Sequence, residues 1–375
     1  MTELVKVLRE RIDVRVHCFG HERDEADVEA YAVPEAYEHA NKALQTLAVN
    51  LLMAEGAAGA DLVHSHTWYA NEAGRRASQL HHIPHVITAH SLEPLRPWKA
   101  EQLGGGYAVS SDIERRAYES ADRIIAVSNG MRADILRCYP DLDPERVLTI
   151  TNGIDLTEWK PRSDPELLRE YGIDPDRPIL IFVGRITRQK GLPYLLRAAH
   201  ELPPEVQLVL CAGAPDTAEI AAEVEALVAE LQASRAGVIW IREHLARPHM
   251  LALLSGATAF VCPSIYEPLG IVNLEAMACG LPVVGTATGG IPEVVQDGVT
   301  GWIVPIEQLT DGTGTPVNPE RFVADLAAAL NTAVADPDRA RRFGAAGQQR
   351  AAEKFSWQMI ADQTLAVYEQ LCSEQ

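Results

Sequence analysis

The feature that most constrains the fold is a repeated alternation of short apolar runs with helical patterns. The first series of runs is VRVHCFG, DLVHSHT, PHVITAH, RIIAVS and VLTITNG, and the second is PILIFVGR, VQLVLCAGA, GVIWIRE, TAFVCPS, PVVGTAT and GWIVP. Short apolar strands separated by helices are typical of parallel sheets. The sequence therefore predicts an α/β protein with two doubly wound, Rossmann-like domains in tandem, whose strand carboxyl ends face a cleft.

A turn-rich segment, TNGIDLTEWKPRSDP, separates the two series. It places an N-terminal domain at 1–153 and a second domain at 154–356, followed by a final helix at 357–375. The chain opens with TELVKVLRE, which has a helical pattern, whereas a Rossmann-like domain normally opens with its central strand. We therefore expect the N-terminal domain to lack its first strand and the Gly-rich loop that follows it.

The charge balance limits the range of partners. Lys and Arg number 33 against 52 Asp and Glu, a formal net charge of -19, which counts against non-specific binding to nucleic acid or anionic membranes. No apolar run reaches the roughly 18 residues of a membrane span, and the charged start does not resemble a signal peptide. The prediction is a cytoplasmic protein with no membrane span, in which a phosphate ligand would need a local basic site.

One such site is predicted in VGRITRQKG. Gly184 ends an apolar strand, and Arg185 and Lys190 follow as the next helix begins. Two cations beside a helix N-terminus suit a diphosphate, whereas the alternative is a solvated basic turn. Neither a G-x-G-x-x-G fingerprint nor a P-loop occurs, which counts against dinucleotide-linked redox chemistry and P-loop phosphoryl transfer.

A second candidate site lies in EPLGIVNLE. Glu267 is predicted to lie in a turn after the strand TAFVCPS, and Glu275 in the short helix that follows. The first amides of that helix, those of Gly270, Ile271 and Val272, would suit a phosphate. For either glutamate the alternative is an ordinary partner of the helix dipole.

Histidine and aromatic residues follow two strands of the first series. His90 ends PHVITAH and could touch a sugar hydroxyl, and HSHTWYA places His66 and Trp68 after another strand. A flat ring can stack on a sugar face, so this segment is interpreted as a carbohydrate platform, with a partly buried sheet edge as the alternative. Arg96 and Lys99 follow His90 and are candidate ligands of an acceptor phosphate, unless they belong to a solvated loop.

These motifs together resemble the retaining family 4 glycosyltransferases with the GT-B fold. The resemblance extends along the whole chain and rests on TAHSLEP, VSNGMRADI, TNGID, FVGRITRQKGL, CPSIYEPLGIVNLEAMACGLPVV and GGIPEVVQDGVTGWIVP. Within the family, the segments around His90 and Glu267 look most like the actinobacterial-type glycogen synthases, whose close members act as maltose-1-phosphate synthases. Similar proteins begin with a strand and a Gly-Gly loop that precede the position of Thr2, so that either the start of this chain is assigned too late or the chain is a truncation.

The resemblance implies a role for each matching residue. Arg185 and Lys190, after Gly184, would hold the diphosphate of a nucleotide sugar, and Glu267 would orient its sugar with the backbone of Pro268, Leu269 and Gly270. Glu275 would accept hydrogen bonds from the ribose, and His90 would contact the donor sugar from the other domain. WIREHL, which includes Arg242, would border the base, and the C-terminal helix would cross back to the first domain.

The function implied is retaining transfer of glucose from ADP-glucose to the 4-hydroxyl of glucose 1-phosphate or of an α-1,4-glucan, in glycogen and α-glucan biosynthesis. No cofactor and no metal is predicted, because the two cations would take the charge of the leaving group. The sequence leaves ADP or UDP as the donor nucleotide open, and it is compatible with a homo-oligomer. The alternatives are a nucleotide-sugar epimerase of similar fold and a catalytically impaired truncation that binds nucleotide sugar or glucan.

Overall fold

The computed structural model describes residues 2–25 and 27–374 of the chain. The chain divides into two compact units: one contains the residues up to Asn152 together with those from Trp357 onward, and the other runs from Gly153 to Ser356.

Within residues 2–25 and 27–152, the first unit contains six strands and six α-helices. The strands are β1 (Val16–Phe19), β2 (Val28–Tyr31), β3 (Val63–His66), β4 (His85–Ala89), β5 (Arg123–Ala126) and β6 (Val147–Thr149). The helices are α1 (Thr2–Leu8), α2 (Lys42–Gly56), α3 (Trp68–His81), α4 (Lys99–Leu103), α5 (Gly106–Ser120) and α6 (Asn129–Cys138).

The second unit contains six further strands and eight helices, and one more helix completes the first unit. The strands are β7 (Ile179–Arg185), β8 (Gln207–Gly213), β9 (Val238–Ile241), β10 (Ala259–Cys262), β11 (Val283–Thr286) and β12 (Gly301–Val304). The helices are α7 (Pro165–Glu170), α8 (Leu192–Ala198), α9 (Ala218–Ser234), α10 (Arg247–Gly256), α11 (Ile271–Ala278), α12 (Ile291–Val294), α13 (Pro319–Ala335) and α14 (Pro337–Lys354), followed by α15 (Trp357–Ser373) in the first unit.

The strands of the first unit form two separate parallel sheets. One has the order β3-β4-β5-β6, and the other pairs β1 with β2. Helices α1 and α15 pack together on the core of this unit, where Leu4 and Trp357 join Val86 and Ile125 of the larger sheet. The absence of the first strand and its loop stays a prediction.

The second unit is a single parallel sheet with the order β12-β11-β10-β7-β8-β9. Its first strand, β7, lies at the centre, with β8 on one side and β10 on the other. The direction of winding therefore reverses between β7 and β10, and such a reversal leaves a crevice at the strand carboxyl ends where ligands bind in open α/β sheets.

Local sequence explains where several helices of this unit begin. The side chains of Thr217, Asn318 and Asp336 accept hydrogen bonds from the first turns of α9, α13 and α14. Pro319 and Pro337 occupy the first position of α13 and α14, where proline lacks only an amide hydrogen that the helix does not use.

The predicted α/β architecture is confirmed, and each of the eleven apolar runs contains a strand. Strand β2 lies outside the predicted set, because its short sequence VEAY is preceded by the charged stretch HERDEAD, which obscures the alternation. Over residues 2–25 and 27–374, no helix combines the length and the apolar character that crossing a bilayer requires.

Candidate functional site

The candidate donor site is formed by two loops of the second unit. Gly184 and Arg185 are the last residues of β7, and Lys190 lies in the short turn that follows. The loop after β10 carries Glu267 and leads into α11, which contains Glu275. Since β7 and β10 are neighbours at the reversal of strand order, the structure brings the two predicted motifs to one edge of the sheet.

Direct backbone contacts fix the two loops against each other. The amide of Ile265 donates to the carbonyl of Gln189 at 2.8 Å. Gly191 has a positive φ of 64°, and a Cβ atom there would lie 1.9 Å from the carbonyl oxygen of Pro263. Only glycine combines this backbone conformation with so close an approach, so Gly191 sets the distance between the loops.

Lys190 and Glu267 form a partly buried ion pair across the two loops. The Lys190 Nζ lies 2.7 Å from Oε2 of Glu267, and the hydroxyl of Ser264 donates to the same oxygen at 3.2 Å. Burial is the largest single influence and opposes the charge of Lys190, but the attraction and hydrogen bond of Glu267, together with the nearby Cys262 and Glu275, outweigh it and raise the Lys190 pKa. Oε2 of Glu267 is therefore held by two donors, and the lysine stays cationic.

The start of α11 presents backbone donors beside this pair. Gly270 precedes the helix with φ 91° and ψ 60°, a left-handed conformation that favours glycine. The amides of Gly270, Ile271 and Val272 lie in the first turn, where a helix leaves its donors without intrahelical acceptors. The side-chain amide of buried Asn273 lies close to Gly270 and has no hydrogen-bond partner within the described part of the chain. The local dipoles suit an anion.

Glu275 differs from Glu267 in its electrostatics. Burial raises the pKa of Glu275 from 4.5 to about 7, although the positive charges of Arg247 and Lys190 oppose the shift. A carboxylate so desolvated gains from hydrogen-bond donors that a ligand brings, such as a pair of ribose hydroxyls.

This raised pKa predicts a stability cost that depends on pH. The folded state binds more protons than the unfolded state between about pH 4.5 and 7, so Glu275 makes stability fall as the pH rises through that window. We expect Glu275→Gln to match wild type in urea unfolding near pH 4.5 and to exceed it by about 3 kcal/mol at pH 8. The exposed control Glu320→Gln should leave both curves unchanged. Equal stabilities of wild type and Glu275→Gln at pH 8 would contradict the burial argument.

Arg185 is oriented towards Asp216, a residue that follows β8. The two side chains form an ion pair, and 63% of the Arg185 side chain is exposed. An exposed arginine can exchange one carboxylate for a phosphate at small cost. Arg185 is thus near the site but engaged with Asp216 in this structure.

Arg242 follows β9 at the same edge of the sheet. Its guanidinium carbon lies 3.8 Å from the centre of the Trp240 ring, and it pairs with Glu225 at 2.9 Å. The role of Arg242 in binding a nucleotide base stays a prediction.

In the first unit, the structure brings His66 and His90 together. His66 ends β3 and His90 follows β4, and the Nδ1 of His66 lies 3.0 Å from the Nε2 of His90. Both rings are half-buried, and burial lowers the pKa of His90 to about 4. Both side chains are therefore neutral near pH 7.

The interpretation of Trp68 as a sugar platform is wrong. Trp68 is the first residue of α3, and only 2% of it is exposed, because its ring packs against Ala43 and Ile113. A ring covered in this way offers no face to a sugar. The neighbouring Tyr69 is half exposed.

Lys99 is neither a free cation nor part of a solvated loop. It is 3% exposed, and its Nζ lies 2.8 Å from Glu93, a fully buried carboxylate that also accepts from Ser110 at 2.7 Å. Burial lowers the pKa of Lys99 despite the attraction of Glu93. Lys99 is therefore corrected from a phosphate ligand to a structural ion-pair partner. Arg96 is half-buried and donates to the Ser91 hydroxyl at 3.2 Å.

Comparison with known proteins gives a glycosyltransferase family model for each half of the chain. Residues 1–158 match the model described as Glycosyltransferase Family 4, and residues 163–350 match that of Glycosyl transferases group 1. The chain is 57% identical to the alpha-maltose-1-phosphate synthase of Mycolicibacterium smegmatis, over 98% of this chain and 93% of the relative. The chain belongs to the family 4 glycosyltransferases.

Two further comparisons extend this result. The family 4 glycosyltransferase described here is 53% identical to the alpha-maltose-1-phosphate synthase of Mycobacterium tuberculosis, over 100% of this chain and 95% of that one. Among solved structures, the sucrose-phosphate synthase of Thermosynechococcus elongatus matches with a TM-score of 0.80 and 25% identity, over 100% of this chain and 92% of that one. The fold is GT-B, and the protein is a hexosyltransferase.

Three side chains of this glycosyltransferase lie at the site but outside the predicted set. Ser264 contacts Glu267, Asp216 contacts Arg185, and Asn273 lies beside Gly270. Ser264 and Asp216 could have been proposed from their positions just after β10 and β8, since parallel strands end at one edge. Asn273 could not have been proposed from the sequence, because it occupies a position in a short helix that an ordinary core residue would also occupy.

Proposed function

We propose that the protein transfers glucose from ADP-glucose to the 4-hydroxyl of glucose 1-phosphate, forming maltose 1-phosphate with retention of configuration. The observation that carries this proposal is the 57% identity, over nearly the whole chain, to a relative named alpha-maltose-1-phosphate synthase. The geometry of the second unit supports it, because a partly buried cation, a carboxylate and the first amides of α11 meet at the reversal of strand order.

The donor would bind along the loops after β7 and β10. Its diphosphate would lie near Lys190 and the first amides of α11, with Arg185 leaving Asp216 to join them. Glu275 would accept from the ribose hydroxyls. Oε2 of Glu267 already accepts hydrogen bonds from Lys190 and Ser264. The other carboxylate oxygen, Oε1, would therefore accept a hydrogen bond from a hydroxyl of the donor sugar.

Catalysis would be mainly electrostatic. The bond between the sugar C1 and the diphosphate oxygen breaks, the acceptor O4 forms a bond to C1 on the same face, and the acceptor proton passes to the departing diphosphate. Lys190 and the helix amides stabilise the negative charge that develops on the leaving group. Glu267 acts as an orienting residue, because the ion pair with Lys190 makes it a poor nucleophile.

Initial rates with a matrix of substrates test the proposal. ADP-glucose and UDP-glucose are each combined with glucose 1-phosphate, glycogen or no acceptor, and nucleotide release is followed. We expect the fastest release with ADP-glucose and glucose 1-phosphate, and slow release without an acceptor. Preference for glycogen would contradict the acceptor assignment, and isomerisation of the donor sugar without an acceptor and without nucleotide release, seen by analysing the recovered nucleotide sugar, would indicate an epimerase.

The acceptor phosphate is assigned to Arg96 alone, since Lys99 is held by Glu93. We expect Arg96→Ala to raise the KM for glucose 1-phosphate by about tenfold or more, as loss of a charged hydrogen bond predicts, with the donor KM unchanged. Arg115→Ala, which removes an exposed arginine of α5, is the control and should change neither constant. An unchanged KM for glucose 1-phosphate in Arg96→Ala would remove Arg96 from the acceptor site.

A further inference from the structure

Three histidine rings of the first unit form a continuous stack. The rings of His64 and His66 are 4.4 Å apart at 24°, and those of His66 and His90 are 5.3 Å apart at 20°. The cause is local geometry: residues two apart in β3 share one face of the sheet, and β3 and β4 are parallel neighbours with His66 opposite Thr88. His90, two residues beyond Thr88, extends the same row.

The far end of the stack is anchored by hydroxyl groups. The Nε2 of His64 lies 2.7 Å from the Thr88 hydroxyl, and its Nδ1 is hydrogen-bonded to the hydroxyl of Tyr368 in α15. With both nitrogens engaged, the His64 ring cannot rotate, and the His66 ring rests against it.

The contact between His66 and His90 couples the protons of the two rings. Burial, together with the neighbouring histidines, lowers the pKa of His66 well below its usual value, and burial lowers that of His90 to about 4. Each neutral imidazole carries one ring proton, so a hydrogen bond between Nδ1 of His66 and Nε2 of His90 needs exactly one proton on that pair of nitrogens. Which of these two nitrogens carries the proton determines whether the remaining nitrogen of His90, Nδ1, is a donor or an acceptor.

We propose that His66 is a positioning residue for His90: it holds the His90 ring in place and fixes the tautomer that His90 presents to the substrate. His66 therefore acts through His90 and does not bind the acceptor itself. This inference rests on the proposed function for its effect on catalysis, but the state of the His90 ring is a property of the free protein and can be measured separately.

A double-mutant cycle measures the coupling. His66→Phe keeps a flat ring in the stack without the hydrogen bond, and His66→Asn keeps a polar group near the place of Nδ1. We expect His66→Phe to lower kcat/KM for the nucleotide sugar by about tenfold and His66→Asn by about threefold or less, as loss and retention of one hydrogen bond predict. In a His90→Phe background, His66→Phe should change kcat/KM by less than about twofold, because the partner is already gone.

The control is His81→Phe, which removes a half-buried histidine of α3 that is bonded to the carbonyl of Ala54. It should leave kcat/KM unchanged. Equal effects of His66→Phe in the wild-type and His90→Phe backgrounds would overturn the proposal. The effects of the two substitutions on kcat/KM would then be independent, as expected if His66 had only a structural role.

Nitrogen-15 NMR of the histidine rings separates this inference from the proposed function. In protein labelled at histidine, the His90 signals are identified by their loss in His90→Phe. Wild type and His66→Asn should show one protonated and one unprotonated ring nitrogen for His90, whereas His66→Phe should give intermediate, averaged shifts. Identical His90 shifts in wild type and His66→Phe would overturn the proposal even in an active enzyme, and the expected shifts would support it even if no transferase activity were found.

Discussion

Lys190→Ala is expected to lower kcat by about two to three orders of magnitude, because it removes the partly buried cation that we propose as the stabiliser of the leaving diphosphate. The same change should also destabilise the fold, since it leaves Glu267 without its cationic partner in a site where only 10% of the glutamate side chain is exposed. Removing one member of such a pair costs about 3–5 kcal/mol. Steady-state rates and urea unfolding of the purified variant measure the two effects.

Two companion variants separate catalysis from stability. Arg185→Ala removes a cation that is 63% exposed, so it should lower kcat with little change in unfolding. The double variant Lys190→Met with Glu267→Gln removes both charges, and it should recover much of the stability while remaining inactive. Wild-type turnover in Lys190→Ala would exclude Lys190 from leaving-group stabilisation.

Gly191→Ala is expected to separate the two loops that form the donor site. The new Cβ would lie 1.9 Å from the carbonyl oxygen of Pro263, and the φ of 64° is unfavourable for alanine. The loops must move apart, which would displace Lys190 from Glu267. We expect a loss of stability of about 2–4 kcal/mol and at least a tenfold lower kcat/KM for the donor.

Gly280→Ala is the matched control for backbone strain. Gly280 has a φ of 82° in the same unit, but a Cβ there would meet no atom within 4 Å. The Gly280→Ala variant should lose only the stability that a left-handed backbone conformation costs an alanine, about 1–2 kcal/mol. Its kcat/KM should not change. If the two variants behave alike, the close contact between Gly191 and Pro263 has no role in the donor site.

The architecture of both units was predictable because their strands are short, apolar and separated by helices. The same pattern predicted Gly184, Arg185, Lys190 and Glu267 at or just after strand ends and Glu275 in the helix that follows, and the strand ends of a parallel sheet lie on one edge. Strand β2 was not predictable, since its sequence lacks a long apolar run.

The contacts of individual side chains could not be predicted from the sequence. Trp68 and Lys99 are of residue types that are common in binding loops. In the folded chain, Trp68 is buried against Ala43, and Lys99 is paired with Glu93. The pairing of Lys190 with Glu267 links residues 77 positions apart, and no local pattern encodes such a contact. Burial and pairing depend on neighbours that only the folded chain brings together.

Glucose transfer from ADP-glucose to glucose 1-phosphate is tested most directly by NMR of the product. Proton and phosphorus spectra recorded during the reaction report the linkage, the anomeric configuration and the fate of the phosphate. We expect one disaccharide phosphate with a new α-1,4 linkage, appearing together with one equivalent of ADP. A β-linked product, or release of ADP while glucose 1-phosphate stays unchanged, would contradict it.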